Sequence, residues 1–343
     1  MPDQNTDPAD DPMGTEVHSA FATPTPNLAS MESEQLVERE QLEPEDPEDK
    51  DNLEDRDDRQ RERARSLWQD AWRDLRGNWI FWVSSLVIVF LVIVAIWPGL
   101  FTSTSPLACN LSNSLQGSSS AHPFGTDNQG CDIYSRTLHG ARASITVGFF
   151  ATIGSVLVGA VLGGLAGFFG GWWDAILSRI TDIFFGIPLL LGAMVFLTAI
   201  DSHSVWIVVA FLVILGWPQI ARIARGSVIT AKQQDYVTAA RALGAGNSRL
   251  MLRHILPNAV APIIVVGTIA LGSYISLEAT LSFLGVGLAP PTVSWGIDLS
   301  NAVQVFRNAP GTLFYPAAAL SITVLAFIML GDAVREALDP KLR

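Results

Sequence analysis

The chain has 343 residues, of which 49% are hydrophobic and 16% charged, with a formal net charge of −11. The charge is split: residues 1–58 hold 19 acidic and 3 basic side chains, whereas residues 59–343 hold 14 acidic and 19 basic. The acidic character therefore belongs to a short head, and the greasy remainder is not an acidic soluble protein.

Residues 1–60 are rich in Asp, Glu and Pro and poor in aromatic and β-branched side chains. Such a stretch cannot bury enough apolar area to offset the entropy of ordering, so a disordered extension is expected. Its charge alone does not imply a basic partner. In residues 61–98, Trp68, Trp72, Leu75 and Trp79 recur at helical steps between flanking arginines. That pattern predicts either a helix lying in the membrane interface or one packed on the protein itself, leading in both cases into a first span.

Six segments are long and apolar enough to cross a bilayer. They run from Trp79 to Gly99, Ala143 to Phe169, Ala175 to Ile200, Ser204 to Ala221, Ala259 to Gly285 and Thr312 to Leu330. The first starts too late and runs too long for a cleavable signal peptide, so it is expected to stay as an anchor. Arg61 to Arg76, the segment between spans four and five, and Arg335 to Arg343 are basic, whereas the loops after spans one and five have one arginine each, Arg136 and Arg307. The positive-inside rule then places both termini in the cytoplasm. Residues 99–140 become an extracytoplasmic loop, 141–335 a membrane core containing a cytoplasmic loop at 226–258, and 336–343 a cytoplasmic tail. Cys109 and Cys131 share the outer loop, where a disulfide is permitted; two free thiols are the alternative.

The loop between spans four and five contains "DYVTAARALGAGNSRLMLRHILPN", residues 235–258. Tyr236, Ala240 and Leu243 share one helical face, and Asp235 suits the start of a helix. Gly244 is placed to end that helix with positive φ. Asn247 can cap a second short helix with Leu250, Met251 and Ile255 on its apolar side, which Pro257 is expected to end. Small side chains at Ala239, Ala240 and Ala242 would let another surface approach the backbone closely.

This stretch resembles the cytoplasmic loop of the permease subunits of ABC importers, whose signature is Glu-Ala-Ala, three variable residues and Gly, followed by Ile-x-Leu-Pro. Ala239, Ala240, Gly244, Leu256 and Pro257 match it, while Thr238 replaces the family Glu and His254 the Ile. "HPFGTDNQGCDIYSRTLHGARASI", "TDIFFGIP", "LEATLSFLGVGLAPPTVSWGIDL" and "GDAVREALDPKLR" resemble the peptide and nickel class of these permeases, so the likeness spans roughly residues 66–343. Cys131 stands where that group usually has Arg, which favours the disulfide with Cys109.

The resemblance implies an all-α type I importer permease fold in the bacterial cytoplasmic membrane. It implies a coupling helix seated on an ATP-binding subunit, with Tyr236, Thr238, Ala239, Ala240 and Gly244 in the first part. Leu250, Ile255, Leu256 and Pro257 would complete that element. The implied partners are a second permease subunit, two ATPase subunits or domains, an extracytoplasmic solute-binding protein and the lipid bilayer, with no nucleic acid. The implied cargo is a dipeptide or oligopeptide, with nickel or another small solute as the alternative.

No catalytic or metal site is expected in this chain, and no cofactor bound by it; ATP would be hydrolysed by the partners. Lys50, Lys232 and Lys341 follow Asp, Ala and Pro, so no Gly-Lys-Ser/Thr phosphate loop is present, and the five histidines have no metal-ligand spacing. A secondary transporter would require inverted repeats with broken helices, and it leaves residues 235–258 without a role.

Three features inside the spans remain. Glu278 and Asp182 are acidic groups in apolar segments, which calls for protein or water beside them; Glu278 is a candidate for the translocation path and Asp182 for packing or hydrogen bonding. Gly159, Gly163 and Gly167 form a stripe for close helix contact, either with a partner permease or within this chain. Pro188 is expected to kink span three.

Overall fold

The computed structural model describes residues 67–200 and 203–338. The acidic head and residues 339–343 lie outside the described residues, as does the side chain of Trp68. Among the described residues the chain is helical, with no strand beyond a single antiparallel bridge between Thr126 and Asp132. In chain order the helices are α1 (Leu67–Gly77), α2 (Trp79–Ile96), α3 (Ile133–Phe169), α4 (Gly171–Gly186), α5 (Leu189–Ile200) and α6 (Val205–Lys232). They continue as α7 (Asp235–Ala242), α8 (Asn247–Phe283), α9 (Trp295–Ala302) and α10 (Gly311–Leu338). Five of them, α2, α3, α6, α8 and α10, are each long and apolar enough to cross a membrane, and α4 with α5 makes a sixth crossing if the bent pair counts as one span.

Asn78 separates α1 from α2. Its side-chain oxygen accepts from the Ile80 N–H at 2.9 Å, which satisfies one of the free donors at the start of α2. Trp79 therefore starts a new helix and does not continue the Trp72 stripe. Asn78 also donates to the Glu336 carboxylate at 3.3 Å, tying the start of α2 to the end of α10.

The longest internal contact joins α3 to α6. Gly159, Gly163 and Gly167 all face α6, so the glycine stripe serves packing within this chain. A Cβ at Gly163 would lie 2.1 Å from the Ala221 carbonyl oxygen, and one at Gly167 would lie 2.7 Å from that of Arg225. Without a hydrophobic drive between helices in lipid, such close backbone approach supplies the dispersion contact that holds them together. Tyr274 of α8 reaches into the same layer and donates to Ser155 of α3 at 3.1 Å. The opposite side of α2 exposes Leu86, Val89 and Phe90, as a lipid-facing surface should.

The third predicted span is not one helix. α4 and α5 meet at 87°. Pro188 has no N–H and its ring pushes the preceding residue out of the helical region; Ile187 accordingly sits at φ −86°, ψ 117°. The helix of the fourth predicted span, α6, runs on past the predicted end at Ala221 to Lys232 and carries Gly226 without a break, because loss of hydropathy does not itself end a helix.

Pro257 does not end a helix either. α8 is continuous from Asn247 and passes through a π turn at Leu250–Ile255, closed by the Leu256 N–H on the Met251 carbonyl. The wider i→i+5 bonding leaves Pro257 in the first turn of the following α-helical stretch, where its missing N–H costs nothing.

Candidate functional site

The segment between α6 and the body of α8 is a short helix held by a buried anchor. Val237 and Ile255 are fully buried and Leu250 is 1% exposed; they pack with Phe168 of α3, Val228 and Ala231 of α6, and Ala259 of α8. Lys232 adds a tie by donating its Nζ to the Phe168 carbonyl, its ammonium also lying 5.5 Å from the centre of the Phe168 ring. The end of α7 closes on Gly244, at φ +84°, whose N–H donates to the Arg241 carbonyl at 3.0 Å. Ala245 then donates to the Ala240 carbonyl at 3.0 Å, so the two bonds together satisfy carbonyls the helix end would leave open.

The predicted coupling residues divide into two groups. Leu250 and Ile255 are interior anchors, with Ala240 and Leu256 half-buried beside them. Tyr236, Thr238, Ala239, Gly244 and Pro257 are exposed. Partial burial raises the Tyr236 phenol above its ordinary range, with a hydrogen bond to Asn258 pulling it back. Leu243, on the helical face expected for Tyr236 and Ala240, is 89% exposed at the tip of α7, and Val237 is the anchor. The exposure of Leu243 had a signal: a leucine directly before a helix-ending glycine has no turn above it to cover it. Around this smooth ridge of Ala239, Ala242, Leu243 and Gly244 stand the exposed Arg241, Arg249 and Arg253, opposed by a single exposed carboxylate, Asp235.

At the other end of the bundle, the loop from Trp97 to Asp132 is stapled by a disulfide between Cys109 and Cys131. Asp127 accepts from the backbone N–H groups of Gln129 and Cys131, each at 2.8 Å, which organises the turn. Arg136, at the start of α3, is nearly buried and forks onto Asp298 of α9 through Nε and a terminal nitrogen, with Asp127 at 3.8 Å on its other side. Burial pushes the Asp298 carboxyl up to about 6, although the Arg136 guanidinium pulls it down. A carboxyl raised by folding binds its proton more tightly in the folded state, so its contribution to stability is full below the unfolded value and is lost as pH rises through about 6. The thermal midpoint of the purified protein is therefore expected to fall between about pH 4 and pH 6, and D298N to flatten that slope; an equal slope in D298N would assign it elsewhere.

Glu278 lies between these two regions and is completely buried. Ser282 donates to its Oε1 at 2.9 Å, and Ser282 in turn accepts from the Leu288 N–H at 3.0 Å. Its other oxygen and the hydroxyl of Ser144 on α3 are buried as well. In this conformation the carboxyl group meets the chain's own interior and no open passage. Asp182, by contrast, is exposed on α4 and pairs with Arg222 of α6 at 3.4 Å. One turn from the start of α4, Asp174 is gripped through both oxygens by Arg225.

Residues 159–343 match the family described as binding-protein-dependent transport system inner membrane component, and residues 66–117 match the N-terminal transmembrane domain of oligopeptide transport permease C. The chain is 40% identical over 280 residues to the dipeptide transport system permease protein DppC of Alkalihalophilus pseudofirmus, covering 82% of this chain and 92% of that one. It is 39% identical over 282 residues to the oligopeptide transport system permease protein OppC of Bacillus subtilis, with the same coverage of both. An inward-facing MetNI methionine ABC transporter superposes with a TM-score of 0.50 at 19% identity, covering 60% of this chain and 96% of that chain, a likeness of fold. With its apolar helices, its exposed short helix between α6 and α8, and these relatives over most of its length, the chain belongs to the multi-pass inner-membrane permease components of binding-protein-dependent ABC importers.

Proposed function

We propose that this permease subunit forms half of a passage for dipeptides or oligopeptides, and that α7 with the π turn receives the motion of separate ATP-hydrolysing subunits. The single observation that carries the reading is the contrast within residues 235–258. Val237, Leu250 and Ile255 fix the segment rigidly to α3, α6 and α8, while Ala239, Ala242 and Leu243 offer a smooth apolar ridge to the outside. An element that is anchored below and bare above can pass a push on its ridge to three spans at once. The exposed arginines around it suit an acidic rim on the partner. Because Thr238 is exposed and uncharged, the contact at that position would carry no ion pair and would rest on shape and its hydroxyl.

The termini and this segment would face the cytoplasm, and the disulfide loop the outer side, where a solute-binding protein would deliver the cargo. A second permease subunit would complete the passage. Glu278 would join the passage only when α3 and α8 part.

The test is a single cysteine at Ala239 in the assembled complex. A239C should cross-link to the ATP-binding subunit with a short bifunctional reagent, and ATP should change the yield. Failure of A239C and L243C to cross-link in a complex that co-purifies intact would sink this assignment of the coupling element.

A further inference from the structure

The exposed side of α4 carries two unlike stripes. Leu177 and Phe184 pack inward with Trp217 and Ala221 of α6, and Thr181 is buried on the same side. Outward, Ile176, Ile180 and Ile183 form one ridge, and Ala175, Arg179, Asp182 and Gly186 form the other, spaced four, three and four residues apart. The first ridge suits lipid. The second does not: Arg179 and Asp182 stand more than two turns into α4, and Asp182, with its partner Arg222 of α6, keeps more than half of its side chain exposed. The Arg222 guanidinium stacks 4.3 Å from the centre of the Phe185 ring, which leaves it directed along this face.

Arg179 is exposed on the same ridge and makes no ion pair among the described residues. Asp182 is already engaged by Arg222, so two guanidinium groups and one carboxylate leave the ridge with one cation to spare. The break beside it adds a backbone argument. Ile187 donates to Phe184 at 3.2 Å, Gly192 to Pro188 at 2.9 Å, and Pro188 donates nothing, so the last turn of α4 keeps carbonyls without a helical N–H. Gly186, Ile187, Pro188 and Leu189 are all exposed there. Irregular backbone at membrane depth is tolerated beside protein or water and not beside lipid tails, and the same holds for charged side chains.

We propose that the ridge of Arg179, Asp182 and Gly186 lines the aqueous passage, and that Arg179 receives an acidic side chain of the transported peptide. The proposal rests on the importer reading above. A guanidinium with no partner offers a planar fork of donors that fits a carboxylate through two parallel hydrogen bonds, as a point-charge ammonium does not. The Asp182–Arg222 pair beside it is neutral overall, so it would hold Arg179 in a polar setting without competing for it.

Two measurements on the complete reconstituted complex test this. In the first, R179C and I183C are exposed to a negatively charged, membrane-impermeant thiol reagent in nanodiscs. The reagent should modify R179C readily and I183C slowly, and the transported solute should protect R179C. Equal resistance of both would put the ridge against lipid or a tight protein contact and overturn the proposal.

In the second, ATP-dependent uptake of the dipeptides Ala-Glu and Ala-Lys is compared in wild type, R179K and R179E. The ratio of acidic to basic uptake should drop about tenfold in R179E, the scale of one lost charge-assisted contact, and should fall less in R179K. An unchanged ratio, or loss of assembly in R179E, would show that Arg179 serves a partner subunit or nothing charged. If wild type carries neither peptide, it is the peptide reading that fails, and the labelling of R179C still decides whether the ridge lines the passage.

Discussion

Replacing Gly244 with Trp should reduce ATP-driven uptake to background while the complex still assembles in the membrane. Gly244 stands at the exposed tip of α7 with φ +84°, and among the described residues beyond its chain neighbours no atom lies within 4 Å of the position a Cβ would take. The first atom of the new side chain therefore meets no clash in this subunit. It costs about 1–2 kcal/mol for a side chain forced into the left-handed region, a strain that a 28-residue α6 and the buried Val237 anchor can absorb. The space the indole fills is the space in front of Ala242 and Leu243, where the ATP-binding partner would sit. G244A separates strain from bulk: it carries the same backbone cost with a single methyl group, and should keep most of the uptake. ATP hydrolysis in G244W should persist without transport. Normal uptake in G244W would show that this tip touches nothing that matters to coupling.

What the residues alone disclose depends on whether a feature is local. Gly244 could be placed because a helix followed by glycine is a local pattern, and the six apolar segments because hydropathy is a running sum along the chain. Pro188 was legible as a distortion but not as an 87° break, since the angle depends on how α4 and α5 each pack on α6. Pro257 was misread as a stop because the π turn that shelters it is a choice between i→i+4 and i→i+5 bonding, which no side chain in "LMLRHI" announces. The pairing of Arg136 with Asp298 joins residues 162 positions apart and had no sequence signal at all. The charged ridge on α4 was half visible: Asp182 stood out as an acid in an apolar span, but its exposure, and Arg179 as the open cation beside it, needed the packed helices. The glycine stripe was read correctly as a contact face, and only the structure could say that the contact is α6.

That last point yields the sharpest test of the packing, in two neighbouring glycines of one helix. Gly-to-Ala inside a helix ordinarily stabilises by about 1 kcal/mol, because alanine has less backbone freedom to lose. G164A should follow that rule: a Cβ there meets only the flexible tip of Met251 at 3.5 Å. G163A should do the opposite. Its Cβ would lie 2.1 Å from the Ala221 carbonyl oxygen and 2.8 Å from that residue's carbonyl carbon and Cα, all backbone atoms of α6 that cannot swing aside. The two helices would have to separate by more than an ångström along their longest contact, and Ile220, Ala221 and Ala224, all buried there, would lose packing together. The expected cost is at the top of the about 1–3 kcal/mol typical of overpacked cores. It should appear as a lower thermal midpoint in detergent and reduced accumulation in the membrane, with G164A at or above wild type in both. Because the two variants share chemistry, helix and propensity, only the direction in which each glycine faces can separate them. Equal stability of G163A and wild type would mean that α3 does not turn this stripe toward α6.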